Sequence, residues 1–138
     1  MKFTAFDTDT GLIAFTGECH EAMLEVQGGP GLAVVQGHFD RDEWYWSGSA
    51  MERMPSEKPS RFHRFDRARQ AWVGDLTAAA AFARTRRDAE LAATDWTQLP
   101  DIAEATKLLW QPYRQALRDV TTQPGFPFTI EWPARPAT

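Results

Sequence analysis

The sequence predicts an α+β protein: an N-terminal antiparallel β meander, then a helical hairpin and an extended proline-rich tail. In the first half, short apolar and aromatic runs alternate with turn-forming residues. An alanine- and arginine-rich stretch follows Gly74, and prolines recur beyond Gln123. Because the strand-forming and helix-forming segments are segregated along the chain, they favour separate layers over alternating βαβ units. We therefore predict a small β domain at residues 1–73 and a helical domain at residues 74–138.

The clearest strand signal is a hairpin at the N-terminus. Residues 2–6 and 12–16 are apolar runs on either side of the turn sequence at residues 7–11. Asp and Thr favour turns, and Gly11 tolerates the positive φ that a tight hairpin requires. Together with the runs that follow, this predicts about six short antiparallel strands. Further strands are expected at residues 32–37, 43–46, 62–66 and 71–73, with a helical turn at 20–27 and a surface connector at 51–59.

The first predicted helix covers residues 76–93. Asp75 is a good N-cap residue, and alanine and arginine are strong helix formers. The apolar stripe of this helix consists mostly of alanine. Because small side chains bury little area, this helix needs a partner surface to be stable.

A second helix is expected after a turn at residues 96–100. Asp101 is the predicted N-cap, and Glu104 completes an approximate capping box. The predicted apolar stripe consists of Ile102, Ala105, Leu109, Tyr113, Ala116 and Val120. Pro112 lies inside this run and removes a backbone donor, which predicts a kink or break near residues 108–110. Residues 128–132 are expected to be extended.

Composition restricts the function classes. The net charge is −4 and the pI is about 5.3, which argues against a nucleic-acid partner because phosphate binding needs a cationic surface. No apolar window approaches the ~20 residues that span a bilayer, so no membrane partner is expected. The single cysteine excludes an intrachain disulfide, and the N-terminus lacks the pattern of a secretion signal. A cytosolic protein is expected.

Catalytic and metal-binding motifs are weak throughout. Residues 7–11 resemble the start of a calcium loop, but an apolar strand follows where further oxygen ligands are needed. Cys19 and His20 lack the additional ligands or base that zinc or nucleophilic chemistry requires. The glycine-rich residues 28–31 lack the lysine of a phosphate loop. We therefore predict no catalytic residue, no cofactor and no metal, and hence no enzyme.

The aromatic residues are the better candidates for binding. The chain has 6 tryptophans, and large aromatic side chains dominate both small cores and interface hot spots. Trp44 and Trp46 could form a stacking platform for sugar rings, although a strand with one inward aromatic face is favoured. Trp110, Arg114 and Arg118 form a row on the second helix. The row could bind a partner carboxylate, or its arginines could pair internally with Asp95 or Asp101. The predicted partner-binding residues are Trp44, Trp46, Trp110, Arg114, Arg118 and Trp132.

Several short sequence motifs occur in a characteristic order over residues 72–136. They are Trp72-Val73, Arg86-Arg87-Asp88, Thr94-Asp95-Trp96, the run at residues 113–119, Gly125-Phe126-Pro127 and Trp132-Pro133. In this order they resemble the C-terminal module of phage tail-assembly chaperones, including the tail-fibre assembly family. The resemblance implies a protein that binds a fibre or tail subunit in the host cytoplasm and that, in some cases, stays on the virion tail.

Three functions are compared. The first is a tail or tail-fibre assembly chaperone, in which the β module covers a strand edge and the helical hairpin docks in a groove. The second is a permanent structural component of the tail tip or fibre that contacts the host surface. The third, a glycan hydrolase, is disfavoured because no pair of carboxylates suggests itself. The partner's identity and homo-oligomer formation stay open.

Overall fold

The computed structural model describes residues 1–137. The contacts within the chain divide it into two compact units, Met1–Gly74 and Asp75–Thr138, which we call the β unit and the helical unit. Antiparallel strands form the first, and two long helices dominate the second. The predicted α+β class is confirmed.

The first sheet of the β unit has the order β2-β1-β3. Its strands are β1 (Lys2–Asp7), β2 (Ile13–Glu18) and β3 (Leu32–Gln36), and both neighbours run antiparallel to β1. The expected N-terminal hairpin is confirmed, with Gly11 at φ 75° in its turn. A Cβ on Gly11 would lie 2.2 Å from the carbonyl oxygen of Trp46, so a larger residue would clash there as well as strain the backbone.

Two smaller sheets complete the β unit. One pairs β4 (Trp44–Trp46) with β5 (Met51–Arg53), and the other pairs β6 (His63–Asp66) with β7 (Ala71–Gly74). The strands therefore form three sheets and not one continuous meander. The difference arises because β1 is buried along most of its length and takes a neighbour on each side. Residues 51–53 also form a strand where a connector was expected, because the turn from Ser47 to Ala50 returns the chain along β4.

Aromatic packing forms one core of the β unit. Tyr45, Met54 and Phe65 are buried together, with Leu12 and Trp72 packed against them. The ring centroids of Tyr45 and Phe65 are 4.9 Å apart, and those of Phe65 and Trp72 are 5.6 Å apart. This core is apolar apart from the ends of its Tyr and Trp rings.

The helical unit begins with α1 (Leu76–Ala93). The Oδ1 atom of Asp75 accepts the Ala78 N–H at 2.9 Å, so the predicted N-cap is confirmed. Only Ala79 and Ala83 are buried along α1. The helix therefore presents a thin, small-residue face, as the alanine stripe predicts.

The segment after α1 is a 3₁₀ turn (Asp95–Gln98), followed by α2 (Glu104–Asp119) and a second 3₁₀ turn (Val120–Thr122). The predicted N-cap of α2 is wrong. Ala103 occupies that position and makes no side-chain cap. Asp101 lies instead inside a turn that the Ile102 N–H closes on the Leu99 carbonyl at 3.1 Å, so it is too early in the chain to cap the helix.

The helix α2 continues through Pro112, so the predicted break is absent. An interior proline destabilises a helix by about 3 kcal/mol, because it removes a donor and crowds the preceding turn. Burial of Trp110, Tyr113 and Leu117 on the opposite side of α2 offsets this. Pro112 and Leu108 are both exposed, so solvent is available to the carbonyl that the proline leaves without its donor.

The C-terminal segment is held by local contacts. Residues 124–128 form turns, with a cis peptide between Phe126 and Pro127, and residues 130–137 have no regular secondary structure. The side chain of Gln123 bonds both the N–H and the carbonyl of Glu131, at 2.8 and 2.9 Å. The turn at residues 128–129 shortens the extended stretch expected at 128–132.

Candidate partner-binding surface

Arg114 links the two helices of the helical unit from within. Arg114 is only 8% exposed. The guanidinium donates to the Leu91 carbonyl at 2.8 Å, to the Thr94 Oγ1 at 2.8 Å and to the Asp95 Oδ1 at 2.7 Å. Of the two functions considered for this arginine, internal pairing is the one observed, and the acid is Asp95, not Asp101.

Thr94 is a structural residue that the sequence reasoning missed. It is 1% exposed, and its hydroxyl donates to the Glu90 carbonyl at 2.8 Å while accepting from Arg114. No local sequence pattern identifies it, because its role follows from the burial of Arg114 beside Tyr113 and Leu117, and a buried cation needs nearby acceptors.

A second polar cluster joins α1, α2 and the C-terminal segment. The Tyr113 hydroxyl donates to the Glu90 Oε2 at 2.7 Å, and the Arg135 guanidinium donates to the same oxygen at 2.9 Å. The Tyr113 hydrogen bond, and then that of Arg135, hold the pKa of Glu90 below its ordinary value of 4.5. Burial, and then the Glu90 contact, raise the pKa of Tyr113. No local sequence pattern predicts this cluster, because its members are far apart in sequence.

Two of the predicted binding tryptophans pack within the helical unit, beside Tyr113 and Leu117. Trp110 is 5% exposed and packs with Tyr113 and Leu117, and Trp132 is packed against the same cluster. The Arg86 guanidinium lies 4.2 Å from the centroid of the Trp132 ring. Both indoles therefore serve the fold of the helical unit, and their contact with a partner stays a prediction.

Trp44 and Trp46 lie in the β unit. They share one face of β4, opposite the buried Tyr45, and both are half-buried. The Trp46 ring stacks on Phe6 with centroids 4.6 Å apart. Trp44 makes an edge contact with Phe39 at 5.1 Å. The inward aromatic face favoured from the sequence is present, and partner binding by these two residues also stays a prediction.

Part of the exposed surface of α2 is apolar. Leu108 and Leu109 are 57% and 46% exposed, and Ala105 and Pro112 are exposed beside them. Leu109 was expected on the buried stripe. It is exposed because Trp110, Tyr113 and Leu117 form the buried face, and that face is rotated from the predicted one. We call Ala105, Leu108, Leu109 and Pro112 the α2 apolar face.

An open groove of about 650 Å³ adjoins this face and lies wholly within the helical unit. Arg118, the last of the six predicted binding residues, is exposed here. The groove, which we call the α2 groove, is lined by Gln98, Leu108, Gln111, Pro112, Gln115 and Arg118, with Arg114 beneath. Within residues 1–137, the buried Arg114 Nε has no hydrogen-bond partner.

The motifs with catalytic associations have structural roles. The Asp7 Oδ1 accepts the N–H groups of Asp9 and Thr10, and the Thr10 bond is the main cause that lowers the Asp7 pKa. The His20 Nδ1 accepts the Ala22 N–H at the start of a 3₁₀ turn. Within residues 1–137, no three His, Cys, Asp or Glu side chains are grouped as metal ligands would be. Across the same residues, no helix has the length and hydropathy to cross a bilayer.

A comparison with protein families finds a similarity over most of the helical unit. Residues 80–137 match the family described as phage tail assembly chaperone protein. The match confirms the resemblance seen in the sequence motifs from Arg86 to Pro133, whereas Trp72-Val73 lies outside it. No curated protein matches the chain, and no solved structure matches it.

The family match has direct consequences for function. It supports a role in phage tail assembly, which takes place in the host cytoplasm, and a non-enzymatic mode of action. It covers α2, the α2 apolar face and the α2 groove, and it excludes the β unit. The surface features of the helical unit are therefore the ones to connect with assembly.

Proposed function

We propose that this protein is an assembly chaperone that binds a phage tail or tail-fibre subunit non-covalently through the α2 apolar face. The observation that carries the proposal is the exposure of Leu108 and Leu109 within the segment that matches the family. Trp96 and Leu99, 47% and 49% exposed, precede them in the same unit. Contiguous exposed apolar side chains mark protein interaction sites on soluble domains.

The physical task suits such a surface. Subunits of a fibre or tail tube expose apolar surface and strand edges before they assemble, and these aggregate. A chaperone that covers the apolar surface reversibly keeps the subunit soluble until its own neighbours replace the chaperone. The affinity then comes from apolar burial, of the order of 25 cal/mol per Å² removed from water before the costs of association.

Co-expression tests the proposal. The tail or fibre protein encoded beside this gene is produced alone, with the chaperone, and with variants of it. We expect soluble subunit only with the chaperone, and a loss of that effect with Leu108→Ser. Leu76→Ser is the matched control, because Leu76 is 61% exposed against 57% for Leu108 but lies at the start of α1. A subunit that folds equally well alone would overturn the proposal.

Retention on the finished particle is a separate part of the proposal. The alternative function, a permanent component of the tail tip or fibre, predicts a stoichiometric band of this protein in purified particles. A transient chaperone predicts its loss from the same particles. Mass spectrometry of purified virions therefore distinguishes the two.

A further inference from the structure

The α2 groove differs in chemistry from the apolar face beside it. Its walls combine two apolar residues, Leu108 and Pro112, with three glutamines. Two arginines and no acidic residue are among its lining residues, all of which lie in the described part of the chain. A surface with this composition is suited to the main chain and side chains of a peptide, because primary amides bond both peptide N–H and C=O groups.

Two of the three glutamines are already oriented by hydrogen bonds. The Gln115 side-chain amide donates to the Asp119 Oδ1 at 3.0 Å, and that of Gln98 donates to the Thr97 Oγ1 at 3.0 Å. Their carbonyl oxygens are therefore left as acceptors. Gln111 makes no side-chain hydrogen bond with residues 1–137, so its amide offers both donors and an acceptor.

An exposed cation, Arg118, lines the end of the groove. Arg114 is neutralised in part by Asp95, but Arg118 is exposed and makes no ion pair with residues 1–137. Arginine presents forked donors that match a carboxylate in geometry. Arg118 is therefore suited to bind an acidic group of a partner.

We propose that the α2 groove binds an extended acidic segment of the tail subunit, with an apolar side chain on Leu108 and Pro112 and a carboxylate on Arg118. This inference rests on the proposed chaperone function. Arg118 lies ten positions after Leu108 along the helix, which is about 15 Å at 1.5 Å per residue. An extended chain covers that distance in about four to five residues. We therefore expect the bound segment to contain an apolar residue and an Asp or Glu about four to five residues apart, in either order.

Photo-crosslinking locates the bound segment. Benzoylphenylalanine is introduced at Gln111 in the groove or at the exposed Ala89 of α1 as a control, in full-length protein co-purified with the tail or fibre subunit. We expect crosslinks from position 111 to one subunit peptide that has the predicted apolar–acidic spacing. Crosslinks from position 89 alone, or from position 111 to peptides without an acidic residue, would overturn the groove assignment.

Charge reversal tests the role of Arg118. We expect Arg118→Glu to weaken binding of the purified subunit roughly tenfold at low salt, with a smaller difference at high salt, because the attraction to the carboxylate becomes repulsion. Arg118→Gln, which removes the charge without reversing it, is expected to have an intermediate effect. Lys2→Glu is the control, since it changes the net charge equally from an exposed site in the β unit. Circular dichroism of each variant confirms that the helices are intact.

The outcomes separate the two proposals. Equal binding by wild type, Arg118→Glu and Lys2→Glu would reject the acidic-segment inference while the chaperone function stands. An equal loss with Lys2→Glu and Arg118→Glu would show general electrostatic attraction and would also reject it. Absence of any complex with the tail or fibre subunit would reject the chaperone function and the groove assignment together.

Discussion

The β unit packs aromatic rings mainly against one another, whereas the helical unit combines its rings with a buried arginine. In the β unit, Tyr45 and Phe65 are buried with Met54. In the helical unit, Arg114 lies next in sequence to the buried Tyr113 and bonds the end of α1. The helix α1 needs polar bonds to α2, because it buries only two alanines and cannot supply the area that the aromatic residues of β4 and β6 supply.

The two kinds of core respond differently to change. Apolar packing is non-directional, so it fails mainly when volume is lost. A buried hydrogen-bonded cation depends on geometry, because truncation leaves its acceptors buried and unpaired. The following predictions test this difference, beginning with the largest expected effect.

Phe65→Ala should have the largest effect on stability. Phe65 is 3% exposed, and removing a buried phenylalanine lowers the free energy of unfolding by about 3–5 kcal/mol through lost burial and the cavity that remains. Hydrogen exchange resolved by peptide should show faster exchange throughout the β unit. Phe15→Ala, at a residue that is 41% exposed, is the control and should cost much less. Equal effects of the two substitutions would contradict an aromatic core centred on Phe65.

Arg114→Ala should destabilise the helical unit by about 2–3 kcal/mol, because three acceptors lose their donor and all three hydrogen bonds are buried or partly buried. Arg114→Lys should recover only part of this, since one ammonium cannot reproduce the planar fork. Denaturant unfolding followed by tryptophan fluorescence measures both. Full recovery with lysine would show that charge, not geometry, joins α1 to α2.

Asp75→Ala tests the start of α1. Loss of the side-chain bond to the Ala78 N–H should cost about 1 kcal/mol, and Asp75→Ser should restore most of it because serine is also a good N-cap. Amide exchange of residues 76–80 is the most direct measurement. An unchanged exchange rate in the alanine variant would indicate that α1 begins without help from this cap.

Glu90→Gln should have the smallest effect and the clearest pH dependence. The Glu90 pKa is lower in the folded chain than its ordinary value of 4.5, so the ionised carboxylate stabilises the fold above that pH. This contribution is lost as the pH falls through the folded pKa. The amide still accepts from Tyr113, so the variant should be less stable than wild type by about 1 kcal/mol or less near pH 7.

The difference between wild type and Glu90→Gln should vanish in acid. Thermal unfolding at pH 7 and at a series of acidic pH values that continues below the lowered, folded-state pKa of Glu90 provides the measurement. Arg135→Gln is expected to show the same trend, because its guanidinium bonds the same oxygen. A difference that stays constant over this pH range would contradict the assigned role of the carboxylate.

Local chemistry accounts for what could be predicted from the sequence. The Asp7-to-Gly11 turn, the Asp75 cap and the position of α1 follow from short-range preferences, which act within a few residues. The order of several short motifs in the C-terminal half was sufficient to predict a resemblance to the chaperone family, and the match to residues 80–137 confirms that resemblance.

Other features could not be predicted, for physical reasons. The start of α2 depends on the turn at Leu99–Ile102. Asp101 lies inside this turn and is too early in the chain to cap the helix. The continuity of α2 through Pro112 depends on burial of the opposite face, a tertiary contribution that exceeds local helix preference. The exposed position of Leu109 depends on which side of α2 meets α1, and several apolar stripes on this helix were compatible with its periodicity.

Short-range preferences and residue patterns were thus enough to predict the α+β class, the first hairpin, the cap and course of α1, and the resemblance of the C-terminal segment to the chaperone family. The inward hydrogen bonds of Arg114 and the exposure of Arg118 depend instead on tertiary contacts. The two arginines are four residues apart and share the same local chemistry. They differ because α1 and Asp95 lie against Arg114 and not against Arg118. Long-range contacts of this kind are not encoded in the spacing of residues along one helix.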